Sequence, residues 1–178
     1  MIKNIILNLE AIEALNFFWV AASEKDNVAE KFFHDLGQMP AVKLMYEEGF
    51  DSESVRRALS AIKNREPFSG NHKERKFWNL NMWAMEDLEL TDMMVQPIKK
   101  LNLSGLIDPL NKIKTNNNSD ILEVYFSPLY DETSKVVDGK LLINFFRVKT
   151  SFVDDSVTLE GLSLSEYIQV QLEKFLSN

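Results

Sequence analysis

Glu30 and His34 stand four residues apart, and His72 and Glu74 stand two apart. Paired imidazoles and carboxylates are the parts from which a mixed nitrogen–oxygen metal site or a proton relay is made. Asp35 follows His34 directly, and Glu47, Glu48, Glu86, Glu89 and Asp92 could supply further oxygen ligands. A metal-dependent hydrolase or transferase using His34 and His72 is therefore one expectation. Against it, the spacing matches none of the usual metal motifs, and a histidine beside acids serves equally well as a surface ion pair.

A second chemistry is anion capture. From Arg56 to Lys76 the chain carries seven basic residues and two acidic ones, Glu66 and Glu74, so the rest must carry −12 to reach the whole chain's −7. Arginine forks suit carboxylates and phosphates, and a loop brings them close to a ligand. Such a cluster is also what a solvated helix face looks like when its cations meet the protein's own surplus acids.

Immediately after it comes Phe77-Trp78-Asn79-Leu80-Asn81-Met82-Trp83, an aromatic run interleaved with amides. Aromatic walls with a few converging amides make a small-molecule pocket. The same large side chains also fill cores. Together the two stretches give one candidate ligand-binding set: Arg65, His72, Lys73, Arg75, Trp78, Asn79 and Asn81. Acidic pairs at Asp131-Glu132 and Asp154-Asp155, with Glu160, could dock a basic partner or merely solvate loops.

No nucleotide-binding, zinc-hydrolase or nucleophile-elbow signature occurs. Only six glycines are present and none are clustered, which argues against a phosphate-cradling loop. No cofactor is expected. The acidic balance disfavours nucleic acid, because phosphate binding requires several cations on one surface. With no cysteine, disulfides and thiolate chemistry are excluded, in keeping with a reducing cytosol. The apolar start is interrupted by Asn8, Glu10 and Glu13, so neither a signal peptide nor a membrane association is expected.

The elements that must position these residues follow from periodicity and punctuation. A helix is expected over about residues 4–22, with Ile2 to Asn8 alternating like a strand as the alternative. Ser23 should cap a helix to Leu36 that Gly37 ends, and Pro40 should open a short one through Glu48. Asp51 or Ser52 caps a fourth, bearing Val55, Leu59 and Ile62 on one side. The segment 74–90 fits helix or strand, with helix preferred until Thr91-Asp92. Val95–Leu103 reads as an edge strand because of Pro97, and Ser104 as the cap of a brief helix. Ile121–Ser127 and Lys140–Ser151 are the best strands, with Asp138-Gly139 as a tight turn between them and Val157–Leu159 as a third. Ser163 and Glu166 begin the last helix.

The sum is α+β: an N-terminal helical half of four or five helices, about 1–114, packed with a small C-terminal antiparallel sheet and a terminal helix, about 120–178. One domain of 178 residues is expected. The leading functional expectation is a cytosolic binding or interaction protein, with a protein partner or as a homodimer. A domain for a small anionic ligand comes second, and the metal-dependent enzyme third.

Overall fold

Asn4–Asn8 forms a strand, β1, and its hydrogen-bonding partner is β2 (Ile121–Ser127), contributed by the other half of the chain. In the computed structural model, which describes residues 1–178, this pairing is parallel, with Asn4 opposite Ile121 and Asn8 opposite Tyr125. A parallel pair needs a long crossover, and here the crossover is the whole helical region. That region holds α1 (Glu10–Ser23), α2 (Glu30–Gln38), α3 (Pro40–Lys43), α4 (Ser52–Asn64), α5 (His72–Glu86), α6 (Leu88–Lys99) and α7 (Ile107–Asn111). Asn111, at the end of α7, clamps the start of β1: its amide oxygen accepts from the Ile2 N–H at 2.7 Å and its NH2 donates to the Ile2 carbonyl at 2.9 Å.

Beyond β2 come β3 (Ser134–Val137) and β4 (Lys140–Asn144), joined by a turn in which Asp138 and Gly139 take φ of 50° and 74°. The sheet order is β1-β2-β4-β3. The chain leaves β2, passes over the position of β4 to lay down β3, then folds back so that β4 inserts beside β2. β4 is therefore parallel to β2 and antiparallel to β3. A second, three-stranded sheet, β5 (Lys149–Thr150), β6 (Val157–Leu159) and β7 (Leu162–Ser163), is antiparallel throughout and leads into α8 (Leu164–Ser177).

The α+β class agrees with the sequence expectation, with two helix-rich and strand-rich halves and a terminal helix. The expectation of a wholly antiparallel sheet needs correction, because β1 crosses from the helical half into the main sheet. Residues 4–8 are strand, and the first helix begins only at Glu10. Local spacing favoured helix because Ile5, Leu9 and Ile12 share a stripe; pairing with β2 overrides it.

The helix opened by Pro40 ends at Lys43, short of Glu48, and the helix over 74–90 breaks at Asp87, leaving Thr91-Asp92 inside α6. Three further boundaries shift for identifiable reasons. Ser23 does not cap α2: its hydroxyl donates back to the Val20 carbonyl at 2.7 Å, and the chain turns through Lys25 (φ 59°) before α2 starts at Glu30. Val95–Leu103 is no edge strand. Asp87 caps α6 by accepting from the Leu90 N–H at 3.1 Å, and Thr91, Met94, Val95 and Ile98 form a buried helical stripe. Pro97 is tolerated near the end of this helix, where the carbonyl it deprives of a donor belongs to surface-exposed Met93. The long strand expected over 140–151 stops at Asn144, whose amide oxygen accepts from the Phe146 N–H at 2.8 Å and starts the 3-10 turn Phe145–Arg147.

A single cluster of 46 buried residues runs through both halves, from Ile2 to Leu176. The buried residues Ser54, Glu74, Asn81, Thr91, Ser127 and Asn144 are each hydrogen-bonded within the protein, as burial without a partner would be costly. At its centre the Trp19 indole N–H donates to the Asn81 amide oxygen at 3.0 Å, while the Asn81 NH2 donates to the Phe77 carbonyl at 2.9 Å. Asn81→Ala is expected to lower stability by about 1–3 kcal/mol, since the Trp19 donor is left buried without an acceptor. Urea unfolding measures this, and the double variant Trp19→Phe/Asn81→Leu should lose less than the sum of its two single changes.

Candidate functional site

Helix α5 starts with a reciprocal cap. The Asn71 side chain accepts from the Glu74 N–H at 2.9 Å, and the Glu74 carboxylate accepts from the Asn71 N–H at 3.0 Å. Glu74 is only 7% exposed, and its other oxygen accepts from the Arg57 guanidinium at 2.8 Å. Arg57 also donates to the Ser69 carbonyl at 2.6 Å and lies 5.6 Å from the centre of the Phe68 ring, which stacks on Trp78. Gly70 makes this fold of the loop feasible: a Cβ there would come within 2.9 Å of the Glu74 carboxylate and 3.0 Å of the Phe68 ring.

Four more cations of the basic stretch are similarly engaged. Arg56 pairs with Glu53 at 2.8 Å, and Arg65, in the left-handed conformation that ends α4, donates to the Ala22 carbonyl at 3.2 Å. Lys73 donates to the Glu48 carbonyl at 2.7 Å and faces Glu47 at 3.5 Å. Lys76 reaches Asp131 at 2.5 Å, and Arg147 donates to the Asp131 carbonyl at 2.7 Å. The cations thus fasten α4, α5 and the loop after β2 to one another. Within the cluster, His72 and Arg75 are exposed on α5 and make no side-chain bond.

Tyr130 donates its hydroxyl to Glu47 in the same region. That bond holds the Glu47 carboxyl below its ordinary value, with Lys73 and Lys135 adding charge in the same direction. Burial first, and Glu47 second, push the Tyr130 hydroxyl upward, so it stays protonated and can act only as a donor to its neighbour. Burial likewise pushes the Tyr46 hydroxyl up to about 12, and this group donates to the Gly37 carbonyl at 2.6 Å.

The seven residues singled out in the sequence do not converge. Asn81 lies in the core, Arg65 is bonded near the end of α1, and Lys73 is tied to the turn before α4. No group of three or more histidine and acidic side chains is placed to hold a metal ion; His34 lies on α2 and His72 at the start of α5. Trp78 and Asn79 are brought together. With Leu80, Met82, Trp83, Glu86 and Phe146 they line a groove of about 410 Å³ along the outer side of α5. Trp83 is 40% exposed, and the Trp78 indole N–H is buried with no acceptor of the protein in reach.

Phe146 was not anticipated as part of a site. Its position follows from the 3-10 turn that interrupts the expected strand, which no local pattern in the sequence signalled. The turn packs against the core through Trp19, whose ring lies 5.6 Å from Phe145 and 6.0 Å from Phe146. The core partner of α5 thereby sets the far wall of the groove. No helix is long and apolar enough to cross a membrane.

Comparisons with protein-family models, with curated proteins and with solved structures find no match for the chain.

The Glu47 bond has a definite pH signature. A carboxyl whose value is lowered on folding adds stability above its unfolded value, near 4.5, and that contribution disappears as pH falls through the lowered folded value. The stability difference between the wild-type protein and Glu47→Gln should therefore be constant near neutrality and narrow in the acid range below 4.5. Chemical denaturation at a series of pH values measures it, and Tyr130→Phe should raise the Glu47 titration toward the ordinary carboxyl range in a carbon-detected NMR experiment.

Proposed function

We propose that the protein is a non-catalytic binding protein of the cytosol that captures a polypeptide segment in the groove along α5. The observation carrying this reading is the groove itself, with five apolar or aromatic side chains among its seven lining residues and a half-exposed tryptophan in its wall. Aromatic residues and Met are enriched at protein interfaces, Trp because it removes a large apolar area from water with few torsions to freeze and Met because it adapts its shape to a partner. Asn79, exposed on the same side, offers both a donor and an acceptor to a peptide backbone.

The disposition of the titratable groups supports binding over catalysis. A general base must lie within hydrogen-bond reach of a reacting proton in a cavity. Here the histidines stand apart at the surface, and Tyr130 and Glu47 satisfy each other. The basic loop also fits poorly as an anion receptor, since most of its cations already hold carbonyls or carboxylates of the same chain.

The test is selection from an unbiased library of twelve-residue peptides on the wild-type protein. Selected peptides should quench or shift tryptophan fluorescence and bind Trp83→Glu at least tenfold more weakly. Thermal unfolding of that variant should stay close to wild type, because Trp83 is at the surface. Peptides that bind Trp83→Glu as well as wild type would place the binding surface elsewhere.

A further inference from the structure

Resting on that reading, we infer that the segment bound in the α5 groove is basic, its Lys or Arg side chains lying against Trp83 and Glu86 and continuing across the turn between α5 and α6. The groove ends at Glu86, and the next seven residues up to Met93 carry Asp87, Glu89 and Asp92 with no basic residue. All four carboxylates are exposed, and none belongs to an ion pair. This contrasts with the basic stretch at the other end of α5, whose acids and bases are largely matched. Part of the chain's surplus negative charge is thus left unpaired at the groove's exit, with no cation in the same run of sequence.

Glu86 is the most telling of the four. Asp87 and Glu89 have a local reason to be acidic, since they sit at the amino end of α6, where Asp87 also accepts the Leu90 N–H. Glu86 has the opposite placement. It is the last residue of α5, at the negative end of the helix dipole, and no basic residue occupies that last turn. A carboxylate set against the dipole and without a cation is locally unfavourable, and a bound ammonium or guanidinium would relieve it. The face of Trp83 beside it offers the same cation a second attraction.

A second concavity lies on the far side of the turn. A cleft of about 520 Å³ between α6 and the loop from β5 to β6 is lined by Asp92, Met93, Gln96, Pro97 and Asp155 among others. Asp92 accepts from the Gln96 side chain at 2.9 Å, and Lys100 is the one cation in the lining. Groove, acidic turn and cleft therefore follow one another along α5 and α6, with carboxylates in excess over cations along the whole track. An extended basic segment matches that order of apolar and acidic ground, and an acidic one would meet unpaired like charge at Glu86 and along the turn.

The probe is a synthetic twelve-residue peptide of alternating Arg and Leu, with a Glu/Leu peptide as its counterpart, titrated against the full chain by calorimetry at several salt concentrations. The Arg/Leu peptide should bind, weaken as salt rises, and lose at least tenfold in affinity with Glu86→Gln/Glu89→Gln/Asp92→Asn. A control with the same change in net charge, Glu13→Gln/Glu24→Gln/Glu48→Gln, should lose no more than twofold. Glu86→Gln alone should weaken binding about threefold while leaving the thermal midpoint equal to or above wild type, which a purely structural role for Glu86 would not produce. Equal losses in the two triple variants, or equal binding of the Glu/Leu peptide, would overturn the charge assignment while leaving the groove reading intact. Binding of the Arg/Leu peptide that survives Trp83→Ser, which removes the ring without adding charge, would instead remove the groove from consideration.

Discussion

Trp19 and Asn81 meet in the middle of the protein, and much of its outer geometry is set by that one hydrogen bond. An indole N–H and an amide buried together are costly unless each finds a partner, so the two helices that carry them can pack in only one register. The Asn81 amide satisfies both of its ends, accepting from Trp19 on α1 and donating back to the Phe77 carbonyl on α5. With α1 and α5 fixed in this way, the opposite side of α5 is fixed too, and with it the directions of Trp78, Asn79 and Trp83. The Trp19 ring in turn receives Phe145 and Phe146, which puts Phe146 across from α5. A core contact thus determines both walls of a surface groove.

Charge is divided unevenly between the two ends of α5. At its amino end, arginines and lysines tie helix, loop and the turn before α4 together, and Glu74 takes part in both the helix cap and the Arg57 contact. Exposed ion pairs are individually weak, but here they accompany backbone carbonyl contacts that hold the loop in place. At its carboxyl end the carboxylates have no such partners. One helix therefore presents a neutralised end and an acidic end with an aromatic groove between them, and the acidic end is the side on which a cationic segment gains most.

Much of the local structure was legible in the sequence. The Asp51 cap, Pro40 at the first position of α3, the Asp138-Gly139 turn and the Ser163 cap of α8 all act through neighbours a few residues away. Their chemistry is contained within the window that a sequence pattern describes. The readings that changed depend on distant partners. Residues 4–8 become a strand because β2 pairs with them, and Asn81 leaves the candidate site for the core because Trp19 lies opposite it. The parallel pairs arise from the helical crossover between β1 and β2 and from β4 inserting between β2 and β3, which strand-forming residues alone do not specify. For α6 the stripe Thr91, Met94, Val95 and Ile98 has helical spacing, and Pro97 is compatible with it because it lies near the helix end.

By itself, the sequence determined an α+β chain with an acidic surplus, a basic run leading into an aromatic one, and no common catalytic motif. It set which residues could cap, turn and pair locally, since these depend on side-chain chemistry and short-range spacing. The tertiary structure alone decided that the basic run is largely consumed in internal contacts and that the aromatic run is split, with Phe77 and Asn81 facing inward and Trp78 and Trp83 forming the groove wall. The reason is geometric. A helix turns successive side chains through about 100° each, and only the elements packed against it decide which of those directions meets protein and which meets solvent.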